Sequence, residues 1–532
     1  MCYDIILKNA RIVDGTGAPW FRAAVVVCDG RISAIHRGKN IPDAEDVVDI
    51  KGNVVCPGFI DSHSHSDLQL FEDPTLEPKL RQGITTEILG QDGFSMAPIY
   101  REEAIDAWED QISGLAGRMD KKWDWVSTEE YLNTIEETQI APNIATLVGH
   151  GTVRFSVLGM EAREPTEKEL DEMADLVTES LKDGAIGLST GLVYTPQYHA
   201  TTEEVRRLAG QLTPFERPLI AHIRSERFEI WNAFDEFMDI GADEDIPLHH
   251  SHFKVIGPPL KGKSDMATQL VTYARERGID YTADVYPYRA GSTRLMAVLP
   301  PWVKSNTLER ILEDLQTDSI RDKIRKDIEE RRLDDWHNPG AYVGWDAIEI
   351  ASTKSDSDSV VGKTIEHIAN VRGTSPVEAI CDLLVENDLE VTMILHQLDE
   401  ADVRTVLRSD HTCIGTDGIF GSGKPHPRLY GTYPRILGKY VREESILSLE
   451  EAVHKMTGLP ARFMGLYRKG ILRPGFDADL VVFDPQVVGS DATYEHPQRS
   501  PNGISHVLVN GKFVVRDGVV TMNRPGTVIR AD

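Results

Sequence analysis

The sequence predicts an α/β fold, a (β/α)8 TIM barrel joined to a small β-sandwich domain formed by both termini. Three observations predict it. Apolar, strand-like runs alternate with charged, helical stretches through the middle of the chain. Nearly every such run ends in polar residues. The two ends of the chain carry matching hairpin patterns. Alternation of this kind marks a parallel sheet with crossover helices, and in a closed (β/α)8 barrel the carboxyl ends of the strands build the active site.

At the start, residues 4–15 form a β-rich run closing on a turn, followed by residues 23–28, Asp29-Gly30 and residues 31–35. Near the end, residues 478–484, 506–512 and 513–518 repeat the pattern. Asn-Gly and Asp-Gly between β-branched runs are hairpin turns, because both residues tolerate positive φ. Residues 1–55 and 470–532 are therefore expected to make the small domain and residues 56–469 the barrel. At 532 residues the chain exceeds the usual extent of one core, which agrees with two units.

Eight barrel strands are expected at residues 54–60, 85–89, 143–148, 185–188, 219–221, 247–250, 281–285 and 413–415. They end near Asp61-Ser62-His63, Asp92, His150, Thr190, His222, His252, Tyr286 and Asp417. Core packing alone does not explain chemically useful residues at so many strand ends. Residues 287–395 are too long for one barrel connection. They carry charged helical material at 308–332 and strand-like runs at 347–351 and 391–395, and read as an elaborated lid.

Composition excludes several classes. A formal net charge of −28 repels nucleic acid and anionic membrane surfaces, so neither is expected as a partner. No apolar run approaches the roughly 20 residues that span a bilayer, and the start lacks a secretion signal. Five cysteines, an odd number without a CxxC pair, fit reduced thiols in a cytoplasmic protein. An oligomer remains open.

His63 and His65 lie two apart on an extended run, so both imidazoles face one side and reach one ion. Read singly, His222 fits a hydrogen-bonded core histidine, Asp417 a turn residue before Gly418, and Asp92 a turn residue before Gly93. His249 and His250 compete with His252 as ligand: alternation puts His250 and His252 on one face, while His252 lies nearer the strand end. Read together, in chain order and at strand ends, these residues fit a divalent metal site.

The run Pro57-Gly58-Phe59-Ile60-Asp61-Ser62-His63-Ser64-His65 resembles the first-strand signature of the amidohydrolase superfamily. The resemblance implies a metal-dependent-hydrolase barrel, with further ligands His222 and His252 from strands five and six and Asp417 from strand eight. Strand four carries no lysine for carboxylation, which weakens hydantoinase-like readings. Ser225 stands where deaminases place a glutamate, with Glu226 one residue off.

The chain looks more like the N-acyl-D-amino-acid deacylase (D-aminoacylase) family along nearly its whole length. The matching blocks include Gly93-Phe94-Ser95-Met96-Ala97-Pro98, Gly149-His150-Gly151-Thr152, His222-Ile223-Arg224-Ser225-Glu226, Ser251-His252-Phe253-Lys254, Asp284-Val285-Tyr286-Pro287-Tyr288 and Pro425-His426-Pro427-Arg428. That family has a metal-binding cysteine where this chain has Asp92. The resemblance implies Zn2+, as one or two ions, and the harder oxygen of Asp92 opens the site to Mn2+ or Co2+. In this reading Asp92, His222 and His252 hold the principal ion, and His63, His65 and Asp417 a second. Asp417 is the general base and acid. The resemblance further implies that Lys254, Tyr286, Ser292 and Arg428 bind the carboxylate of a small anionic N-acylated amino acid, with Tyr194 lining the acyl or side-chain pocket. Two rival functions remain: hydrolysis of a cyclic amide such as a hydantoin or dihydropyrimidine, and a non-catalytic barrel acting in binding or assembly.

Overall fold

The β-branched runs at the chain start become strands in the structure, a computed structural model that describes residues 3–38, 41–117, 119, 123–330, 336, 338–354 and 359–531. β1 (Tyr3–Ile12), β2 (Phe21–Cys28) and β3 (Arg31–His36) pair antiparallel. β4 (Ala44–Asp49) and β5 (Val54–Pro57) both run parallel to β1.

The chain enters the barrel at Gly58. A side chain there would collide with the Thr85 side chain, which packs into the space glycine leaves. β6 (Phe59–Asp61), β7 (Ile84–Leu89) and β8 (Asn143–Thr146) form one parallel run. β9 (Val148–Gly149), β10 (Leu188–Gly191), β11 (Leu219–His222), β12 (Leu248–His250) and β13 (Tyr281–Val285) continue it in parallel. Only Leu147 separates β8 from β9; its N–H donates to Leu89, and that of Val148 to Gly187. The two segments thus act as one barrel strand.

After β13 the chain makes a three-stranded antiparallel sheet of β14 (Ala290–Arg294), β15 (Ile348–Thr353) and β16 (Val391–His396), in the order β14-β16-β15. This insertion packs around its own core, which includes Leu299, Ile311, Ile324, Ile350, Ile380 and Met393. β17 (Thr412–Ile414) then pairs parallel with β13. Beyond it, Asp417 N–H donates to the His63 carbonyl at 2.8 Å and Ser64 bridges Gly418, which closes the barrel.

β18 (Leu480–Phe483), β19 (Ile504–Val509), β20 (Lys512–Arg516) and β21 (Val519–Val520) return to the first sheet. Its order is β21-β20-β19-β18-β5-β1-β2-β3, with β4 beside β1. Ile5, Leu7, Val25 and Val27 from one end of the chain share a core with Leu480, Val482, Leu508 and Phe513 from the other.

Three details differ from the sequence reading: where the barrel begins, where strand four begins and where the last residues run. The run 54–60 is two strands, not one, because Val54–Pro57 pairs with β1 and β18 of the terminal sheet while Phe59–Asp61 pairs with β7 of the barrel; the boundary drawn at residue 55 falls inside β5. Strand four begins at Leu188 rather than 185, because Gly184 and Ala185 still close the helix Glu167–Asp183: Ala185 N–H donates to the Ser180 carbonyl and Gly184 N–H to that of Leu181. The strands of both termini are hydrogen-bonded into one nine-stranded sheet. The last residues leave that sheet: Ile144 N–H donates to Thr527, Ile529 N–H donates back to Ile144, and Ala531 N–H reaches Gly184, so the tail braces the barrel. Cys2 and the end of the helical stretch expected over 308–332 lie outside the described residues. Cys28, Cys56, Cys381 and Cys413 form no disulfide among the described residues. Among the described residues no helix is long and apolar enough to cross a membrane.

Candidate metal centre

His63 and His65 lie just beyond β6, Asp92 just beyond β7, His222 at the end of β11, His252 just beyond β12 and Asp417 just beyond β17. The parallel barrel brings all six side chains to one mouth. Three overlapping groups have ligand atoms within 4.8 Å of one another: Asp92, His222 and His252; His63, His65 and Asp92; His63, His252 and Asp417.

Asp92 stands between two pairs of histidines. Its Oδ1 lies 3.4 Å from His252 Nε2 and 3.8 Å from His222 Nδ1. Its Oδ2 lies 3.7 Å from Nε2 of both His63 and His65. Asp417 Oδ1 faces the same two imidazoles, 3.2 Å from His65 and 3.8 Å from His63.

These groups are buried, yet His63 Nε2, His65 Nε2, His222 Nδ1 and Asp92 Oδ1 have no hydrogen-bond partner. Buried polar atoms left in this way are costly unless something meets them. Imidazole nitrogens and carboxylate oxygens converging on one point are the donor set of a divalent ion such as zinc. The residues present fit one.

Asp92, His252 and Asp417 all have positive φ, at 57°, 35° and 48°. Non-glycine residues adopt this region rarely, and its cost is tolerated where the surrounding structure enforces it.

Burial alone would raise the Asp92 carboxyl, but the His63 and His252 rings hold it well below the usual carboxylate range. Burial pushes His222 down to about 3, so its ring is neutral at pH 7, the form that ligates a metal. Of the competing histidines, His249 is engaged by Asp284 at 2.9 Å and Thr282 at 2.8 Å, and His250 packs between Phe234 and Phe253.

Two carboxylates that the sequence reading did not place support the cluster from behind. Glu226 Oε1 lies 3.1 Å from His252 Nδ1 and 2.9 Å from Lys254 Nζ. Asp284 Oδ2 lies 3.6 Å from His63 Nδ1, and its Oδ1 accepts the His252 backbone N–H at 2.9 Å. Carboxylates behind metal-facing imidazoles fix ring orientation and raise basicity. Deeper still, the buried Lys79 Nζ lies 2.6 Å from Asp61 and 3.2 Å from Glu87, and donates to Ser64 and Thr416. Asp61 also accepts from the Thr416 backbone, tying β6 to the segment that carries Asp417.

A cavity of about 550 Å³ opens over this cluster, and Tyr194, Lys254, Tyr286, Ser292 and Arg428 all line it. Arg428 Nη1 lies 2.7 Å from Asp417 Oδ2, and its Nη2 donates to the Ser292 carbonyl at 3.2 Å. The guanidinium stands 4.7 Å over the Tyr286 ring and Lys254 Nζ 5.5 Å from it. Tyr286 Oη is buried without a partner, as a hydroxyl awaiting a ligand oxygen would be. Tyr194 meets His222 edge-on at 5.2 Å. His150 stays outside the cluster, held by Glu204 and Thr190, each at 2.9 Å.

Residues 46–279 and 330–515 match the Amidohydrolase family. The D-aminoacylase of Alcaligenes xylosoxydans xylosoxydans is 34% identical over 529 residues, 99% of this chain and 97% of its own. The crystal structure of N-acyl-D-glutamate deacylase from Bordetella bronchiseptica, complexed with zinc and a phosphonate mimic of the tetrahedral intermediate, matches with a TM-score of 0.83 at 32% identity, covering 100% of both chains. A D-aminoacylase structure described for its binuclear metal center matches at 0.82 and 34% identity, covering 99% of this chain and 100% of its own.

Proposed function

The chain belongs to the amidohydrolase family, and from that premise we propose that it is a metal-dependent amide hydrolase that deacylates N-acyl-D-amino acids to a D-amino acid and a carboxylic acid. One observation carries the reading: four histidines and two aspartates meet at the floor of a cleft whose wall presents Lys254, Tyr286 and Arg428. The named relatives, a D-aminoacylase and a zinc-bound N-acyl-D-glutamate deacylase, act on substrates of this kind.

Asp92, His222 and His252 are the residues to hold the principal zinc ion, with His63, His65 and Asp417 for a second. The two oxygens of Asp92 reach toward both groups, which fits a carboxylate shared between them. A divalent ion held there would lower the pKa of a bound water toward neutral and polarise the scissile carbonyl. Asp417 accepts the proton of the attacking water and returns it to the leaving nitrogen. Arg428 favours the ionised state that this role requires. Lys254, Tyr286, Ser292 and Arg428 orient the α-carboxylate, and Tyr194 bounds the space beyond it. An oxygen ligand at Asp92, where the family carries a thiolate, leaves Mn2+ or Co2+ as competent occupants.

The test is a screen of N-acetyl and N-formyl D- and L-amino acids with metal-reconstituted protein, scored by amine release. Release from D-substrates, lost in Asp417→Asn, is the expected result. Ring opening of a hydantoin or dihydropyrimidine with no fragment lost, and no release from linear amides, would replace this reading with cyclic amide hydrolysis. Protein that retains no transition metal and turns over neither class would be a binding or assembly barrel.

A further inference from the structure

Six cations and five carboxylates (Asp92, Glu226, Glu229, Glu236 and Asp417) line the cleft, but only some of the cations are paired with them. Three are paired: Lys254 with Glu226 at 2.9 Å, Arg428 with Asp417 at 2.7 Å and Arg224 with Glu236 at 2.8 Å. Three more line the same cavity, Arg227, Arg294 and Lys304. Among the described residues no carboxylate lies within ion-pair distance of any of these three. Their contacts with the protein are neutral. Arg227 Nη2 donates to Gln397 Oε1 at 3.2 Å, while its Nε is buried without a partner. Arg294 donates to the Gln111 carbonyl.

The three come from separate parts of the chain. Arg227 follows β11, Arg294 ends β14, and Lys304 ends the short helix Pro301–Lys304, so barrel and insertion both contribute. Gathering like charges in a partly buried cleft is unfavourable unless an anion offsets them. The strain shows in Lys304, which burial and the neighbouring Arg227 and Arg294 push down to about 8. In a chain of net charge −28, unpaired cations converging at one place are not a by-product of composition.

We infer that Arg227, Arg294 and Lys304 form a second anion subsite, and that the preferred substrate carries a second carboxylate besides its α-carboxylate. This rests on the deacylase reading, in which the α-carboxylate already engages Lys254, Tyr286 and Arg428. The second carboxylate has two sources, the side chain of the amino acid or the acyl group. Guanidinium groups pair with carboxylates through two parallel N–H bonds. A site built around such bonds rejects an analogue that cannot make them by about 100-fold or more.

The experiment compares kcat/KM of the zinc-loaded enzyme for each dianion and its neutral counterpart. N-acetyl-D-glutamate and N-acetyl-D-aspartate are set against N-acetyl-D-glutamine and N-acetyl-D-asparagine; N-succinyl-D-alanine is set against N-butanoyl-D-alanine. At least one dianion is expected to exceed its counterpart by about 100-fold, by a ratio that shrinks with added salt. The same ratio should collapse in Lys304→Met and in Arg294→Gln, the second variant guarding against misfolding of the first. Which pair shows the preference identifies the source. Turnover of neutral substrates at least as fast as every dianion, or a ratio that neither variant moves, overturns the subsite and leaves the deacylase reading standing. If nothing is hydrolysed, the deacylase reading fails separately. Calorimetric titration of the same protein with N-acetyl-D-glutamate and N-acetyl-D-glutamine then decides the subsite: tighter binding of the dianion, lost in the variants, supports it, and equal binding overturns it.

Discussion

Arg428 Nη1 lies 2.7 Å from Asp417 Oδ2, with both side chains shielded from solvent. The other carboxylate oxygen, Oδ1, faces His65 at 3.2 Å. One oxygen is thus held by a guanidinium while its twin points at the metal-binding cluster. Burial alone would raise the Asp417 carboxyl, and Arg428 is the foremost of the groups that instead hold it well below the usual carboxylate range. Replacing Arg428 with Met withdraws that charge, so the carboxyl protonates at a higher pH. The acid limb of kcat, measured at saturating substrate, is expected to move up by about one unit or more. Arg428→Lys keeps the charge and should restore the limb, though not the substrate affinity. An unmoved limb in Arg428→Met would count against Asp417 as the proton carrier.

Glu226 supports both a metal-facing ring and a substrate-facing cation, through His252 and Lys254. Glu226→Gln keeps the shape and removes the charge. Metal affinity should fall about 10- to 100-fold, as for other partners behind a ligating histidine, when read by competition with a chelator of known strength. If metal affinity holds and only KM rises, Glu226 serves Lys254 alone.

The sequence displays the barrel because alternating strand and helix patterns follow from which residues must be buried. It marks His63 and His65 as a candidate pair through period two along an extended run, although the chain bends at Ser62 and His63 just beyond β6. The limits of these rules are local. His250 and His252 would share a face if the strand continued, but β12 ends at His250 and the chain turns with His252 at φ 35°, which leaves His250 among aromatic side chains. In the sequence Glu226 stands one position from the deaminase glutamate, and no spacing marks it as a partner of His252. No regular element spans Ile223 to Glu229, so no spacing rule forecasts where its carboxylate goes. Lys79, Asp61 and Glu87 meet only through tertiary folding, and nothing in their sequence neighbourhoods marks the encounter. The tail that braces Ile144 was invisible for the same reason: hairpin signals describe local pairing and are silent about where a chain goes after its last strand.

The buried trio of His150, Arg154 and Glu204 makes a stability prediction away from the metal. Glu204 lies 2.9 Å from His150 Nε2 and pairs with Arg154, with all three side chains buried. Glu204→Gln leaves Arg154 without its counter-charge, a loss of about 3–5 kcal/mol. Burial would raise the Glu204 carboxyl, but His150 and Arg154 lower it below its ordinary value of 4.5. A depressed folded-state value means the stabilisation is complete above the unfolded-state value and fades as pH falls through the folded one. Urea unfolding should therefore show a constant gap between wild type and variant from pH 6 to 8, narrowing below about pH 4.5. A gap unchanged at pH 3 would show that the loss is packing and not charge.

Asp92 sets the last prediction, because its two oxygens face different histidines: Oδ1 toward His222 and His252, Oδ2 toward His63 and His65. A thiolate offers a single, softer donor, which favours zinc over manganese. Asp92→Cys is therefore expected to hold one zinc more tightly, to resist chelation longer, and to lose activity with manganese. Metal content after graded chelation, together with activity after reloading with zinc, manganese or cobalt, reads all three effects. The wild type should accept a second ion and be stripped more readily, since its oxygen ligands are harder and shared. A wild-type protein that keeps a single zinc as stubbornly as the cysteine variant, with no activity on manganese, would mean that Asp92 contributes one oxygen to one ion and that the two groups of histidines do not share it.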